Sequence, residues 1–153
     1  MKPRMEYWKA APGGYKAMMA LEAYLHDAGI ERGLLHMVKL RASQINGCAY
    51  CIDMHWKDAR AAGESEQRLY GLAAWREAPY YSDRERAALA WTESLTNITE
   101  GHVPDPVYEA ARDQFTDREL ADLAWAVAAI NAWNRVAIAF RSEAGSCRPR
   151  MHA

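Results

Sequence analysis

Apolar side chains recur at helical spacing along almost the whole of this 153-residue chain, and no β-branched run alternates with the period a half-buried strand requires. Val and Ile are sparse beside Ala, Leu, Glu and Arg, which all favour helix. The pattern confines the chain to an all-α fold of six or seven helices with no sheet. Its length suits one domain, 1–153, with loosely ordered tails expected at 1–11 and 145–153.

Local signals divide the helices. Pro12-Gly13-Gly14 precedes a helix expected over Tyr15–Asp27, which Gly29 breaks. A second runs from Glu31 to Ile45 and stops at the turn dipeptide Asn46-Gly47; a third spans Cys48 to Gly63. Ser65 can cap a short helix through Leu72. Ser82 with Glu85 and Thr116 with Glu119 are capping boxes, opening helices to about Leu95 and Arg141; another helix is expected over Asp105–Gln114. The last helix is apolar over most of its circumference, as in a bundle centre or a subunit interface, and six tryptophans point the same way. A homo-oligomer is expected.

The formal net charge is −1, and the basic residues are interspersed with acids, so neither nucleic acid nor an anionic membrane is favoured as a partner. The N-terminus has no signal-peptide core, and no apolar run is read as a membrane span, which places the protein in the cytoplasm. Three cysteines are too few for a secreted disulfide scaffold. In a reducing compartment, two of them at Cys-x-x-Cys spacing suggest redox chemistry or metal binding.

Cys48 and Cys51 stand at a helix start, where unsatisfied N–H groups and the positive end of the dipole favour thiolate. His55 lies one turn beyond Cys51 on the same face and can accept the thiol proton. Three other readings compete. Cys48, Cys51, His55 and His36 can be assembled into a zinc tetrad, although no second cysteine pair exists. The cysteines can be buried and inert. Covalent haem attachment fails because Ile52, not histidine, follows the second cysteine. Asn46 is expected to cap the motif helix. Trp133, Asn134 and Arg135 either approach the site or serve an oligomer contact, and Tyr50 either packs or lines a pocket.

The stretch Leu35–Asp58, with its Cys48-Ala49-Tyr50-Cys51-Ile52-Asp53-Met54-His55 centre, resembles the core of the AhpD-like proteins of the carboxymuconolactone decarboxylase superfamily. Ala74-Trp75-Arg76-Glu77-Ala78-Pro79 and Asn131-Ala132-Trp133-Asn134-Arg135 are similar to the same branch. The resemblance implies an oligomeric all-α bundle (dimer, trimer or hexamer) and a thiol-dependent peroxidase reducing hydroperoxides. By the same resemblance Cys51 attacks, Cys48 resolves it as a disulfide, His55 relays protons, and a thiol or lipoyl-type partner restores the dithiol. The cycle needs no metal or organic cofactor, only the Cys48–Cys51 disulfide. The family pattern has glutamate twelve residues before the first cysteine, and His36 stands there instead. That departure keeps a non-enzymatic redox sensor, and more distantly a decarboxylase or lactone-type activity, beside the peroxidase reading.

Overall fold

The computed structural model describes residues 2–147; the expected tail over 148–153 lies outside them. Among the described residues are eight α-helices and no strand: α1 (Tyr7–Ala10), α2 (Pro12–His26), α3 (Arg32–Asn46), α4 (Ala49–Ala61), α5 (Glu66–Gly71), α6 (Asp83–Thr96), α7 (Asp105–Gln114) and α8 (Asp117–Phe140). A 3-10 turn over Leu72–Ala74 continues α5.

Most boundaries follow local chemistry. Both capping boxes are closed: Ser82 and Thr116 accept from the third helical N–H, while Glu85 and Glu119 reach back to the cap N–H. Ser65 caps α5 by accepting from the Arg68 N–H at 3.2 Å. Gly47 ends α3 in the left-handed region at φ 67°, where a side chain would be strained. The α1 turn was not anticipated, since it falls in the segment expected as a loose tail. There the Arg4 N–H donates to the Phe140 carbonyl at 3.0 Å, its guanidinium donates to the Ala139 carbonyl at 2.9 Å, and Tyr7 stacks on Phe140.

α3 is the spine, packed against α4, α6 and α8 at once. Leu34, Leu35, Met37, Val38 and Leu40 are buried on it, and Leu120, Leu123 and Val127 of α8 join the same core. A smaller apolar cluster, Ala42, Cys48, Cys51, Ile130 and Ala137, fills the gap between α3, α4 and α8. The site is built there. α8 is long and apolar enough to cross a membrane by length and composition alone. In this fold its Leu120, Leu123, Val127 and Ile130 form core, and it carries buried Asp122 and Asn134 as well. Trp125 and Ile138 remain exposed on its outer side.

The Trp75-Arg76 segment serves the opposite side of α3. The Trp75 indole and the Arg41 guanidinium each donate to Glu93 Oε1 at 2.8 Å, and Arg76 lies over the Trp75 ring, 4.3 Å from its centroid. These donors hold the Glu93 carboxyl below its usual range despite its burial.

Candidate thiol site

The α3–α4 turn sets the site. Cys48 occupies the N-cap position of α4 with extended backbone, and no side-chain hydrogen bond closes the helix start. Cys51 lies one turn on, so both sulfurs face the smaller apolar cluster. Both residues are only 1% exposed, and their Sγ atoms lie 2.9 Å apart as free thiols with no disulfide between them.

The two thiols share their protons unequally. Cys48 is drawn down to about 7, first by its hydrogen bond with Cys51, then, against burial, by the N–H groups of Cys51 and Tyr50 and the Asn134 amide. Cys51 is pushed far up, first by the same hydrogen bond and then by burial. When the pair gives up one proton, near pH 7, the charge therefore lies toward Cys48.

The turn is tied to α8 by amides. Asn46 Nδ2 donates to Asn131 Oδ1 at 2.9 Å and to Asn134 Oδ1 at 2.8 Å, and Asn134 Nδ2 donates to Ser43 Oγ at 3.0 Å. This corrects the expectation that Asn46 caps α4: its side chain is engaged across the bundle, and Cys48 itself stands at the cap. Asn134 is fully buried beside the thiols and Trp133 lines the cavity, so two residues of the Trp133-Asn134-Arg135 run belong to the site. Arg135 is exposed and bonds back to Asn131.

Cys51, His55 and His36 line one cavity of about 160 Å³, together with Tyr50, Trp133 and Asp58. Cys48 does not line it. The His36 and His55 rings face each other with centroids 6.2 Å apart. Lys39 pairs with Glu22 on the wall, and Glu22 also accepts from the Trp133 indole at 3.0 Å. Three of the four residues singled out from sequence thus line the cavity, Cys48 stands 2.9 Å behind Cys51, and Tyr50 lines the pocket. The residues that sequence reasoning missed are Asp58, Glu22 and Lys39. Asp58 was readable, because 51, 55 and 58 fall on one helical face; the Lys39–Glu22 pair joins two helices and leaves no local signal.

Cys147, expected in the loose tail, is half-buried, and its carbonyl accepts from Lys57 Nζ at 3.1 Å. The weighed tetrad of two cysteines and two histidines is not the cluster that forms. His36 and His55 are joined by Asp58, with one ligand atom from each within 4.8 Å of the others.

An all-α bundle with a buried Cys-x-x-Cys at a helix start and a histidine one turn on defines a class of thiol-bearing helical proteins. Residues 12–94 match the model of the carboxymuconolactone decarboxylase family. The chain belongs to that family, in its AhpD-like branch. The uncharacterized protein YdfG of Bacillus subtilis is 44% identical over 146 residues, covering 95% of this chain and 99% of that protein. A crystal structure of ATU0492 from Agrobacterium tumefaciens, a protein of unknown function described in connection with the antioxidant defence protein AhpD, is similar at TM-score 0.92 and 46% identity. That match covers 95% of this chain and all of the other. The debrominase Bmp8 shares the fold at TM-score 0.79 and 18% identity, over 90% of this chain and 74% of its own.

Proposed function

We propose that this protein is a thiol-dependent peroxidase that reduces small hydroperoxides through a Cys51–Cys48 disulfide cycle. The observation that carries the reading is the division of labour within the pair: Cys51 meets the cavity, while Cys48 is the more acidic thiol 2.9 Å behind it. As substrate arrives, the Cys51 proton passes along the S···S contact to Cys48. The Cys51 thiolate attacks the terminal peroxide oxygen, breaking the O–O bond and leaving a sulfenic acid on Cys51. The departing alkoxide takes a proton through His55 and His36, the imidazoles on the cavity wall. Cys48 then attacks Cys51 Sγ and expels hydroxide, which takes the Cys48 proton and leaves as water. Two electrons from a dithiol of thiol or lipoyl type restore the pair. A reducing compartment such as the cytoplasm suits that resting state, and the exposed Trp125 and Ile138 of α8 suit a homo-oligomer.

The test is a coupled peroxidase assay with a panel of thiol and lipoyl reductants, run beside mass spectrometry after peroxide treatment. A Cys48–Cys51 disulfide and loss of all turnover in Cys51→Ser are expected. Turnover that survives in that variant overturns the assignment. A disulfide that forms without turnover in any reductant favours the sensor reading instead.

A further inference from the structure

One end of the thiol cavity holds a set of side chains of which the thiol cycle uses only the two imidazoles. His55 and Asp58 come from one face of α4, three residues apart, and His36 comes across from α3. His55 and Asp58 are 6% and 7% exposed, and all three line the cavity. One ligand atom from each lies within 4.8 Å of the other two.

We propose that His36, His55 and Asp58 form a binding site for one divalent first-row transition ion such as Zn²⁺, with its open coordination position facing the cavity beside Cys51. Two imidazoles and one carboxylate are the donor types such ions take, and three protein ligands with a fourth position open is the arrangement of a reactive site, not a structural one. Metal–ligand bonds near 2.0–2.2 Å put donors on one ion roughly 3.3–3.5 Å apart. From separations of at most 4.8 Å, the donors have to approach one another by no more than about 1.5 Å to reach that spacing. The formal charges on the wall do not oppose a cation: Arg32 and Lys39 are matched by Glu22 and Asp58. The site takes both cavity imidazoles, so an ion bound there withdraws the proton carriers from Cys51. Occupancy and peroxide turnover are then in competition.

The inference does not depend on the peroxidase reading, and its test separates the two. Protein carrying Cys48→Ser and Cys51→Ser is titrated with Co²⁺, read by its visible d–d bands, and with Zn²⁺ against a chromogenic chelator. Wild type is titrated in parallel. One ion per chain in both proteins is expected. Affinity falls at least about tenfold in His36→Ala and in Asp58→Asn, with circular dichroism unchanged, and does not move in His102→Ala. Binding that vanishes with the two serines overturns the proposal in favour of a thiolate site. Binding absent from wild type, or undiminished in both ligand variants, overturns it outright.

Discussion

Three helix starts in this protein face the same requirement and meet it in two ways. α6 and α8 open with Ser82 and Thr116, whose oxygens answer the third helical N–H while Glu85 and Glu119 answer the cap's own N–H. α4 opens with Cys48, and no side-chain hydrogen bond closes it. Its N–H groups are turned instead to drawing the Cys48 proton off. The Glu119 carboxyl is held down to about 2 by the Thr116 N–H and by Arg84, so the anion at that start is answered by a cap N–H and a cation. At α4 the anion is a sulfur, answered first by the Cys51 thiol and then by the N–H groups of Cys51 and Tyr50.

The comparison breaks most sharply on pH. Cys48 stands at about 7 against its ordinary 9.0, so about half the chains carry the thiolate at neutral pH. A free thiol near 8.5 is only about 3% ionised there, a difference of roughly fifteenfold. Thiolate absorbance at 240 nm is expected to rise in a step centred near pH 7, and Cys51→Ala is expected to move that step upward. A step that stays put removes the shared proton from the account. The sign for stability follows: the folded value is depressed, so the contribution is complete above about pH 9 and is lost as pH falls through about 7.

Asn134 offers a second lever. Replacing it with alanine leaves Asn46 and Ser43 without their buried partner, at a cost of about 1–3 kcal/mol in chemical denaturation. It also removes an amide that lowers both thiols, so the 240 nm step moves up in the same variant. A destabilised variant with an unmoved step assigns the residue to packing alone.

The smallest effects belong to the closed starts. Ser82→Ala and Thr116→Ala are each expected to lower stability by about 1 kcal/mol. Neither is expected to shift the thiol step, and urea titration with the 240 nm curve reads both quantities on one sample.

What the sequence disclosed is local. Capping boxes, the Gly47 stop and the helical period place seven of the eight helices to within three residues at either end, because each signal acts within a turn or two of the residue carrying it. The thiols and His55 were readable from their spacing, and His36 through the family resemblance. α1 was not, since four residues carry no period and what holds the segment is the far end of α8, through Arg4 and Tyr7. Asn46 misled for the same reason. It sits where a cap belongs, and its partners lie 85 and 88 residues away.

The thiolate at the head of α4 also bears on how firmly electrons are held. Every interaction that favours the Cys48 anion stabilises the dithiol and offers nothing to a neutral disulfide, so it raises the reduction potential of the couple. In the proposed cycle, a disulfide across Cys48 and Cys51 would on that account be more readily reduced by a dithiol, and less suited to serve as a permanent crosslink, than one between ordinary thiols.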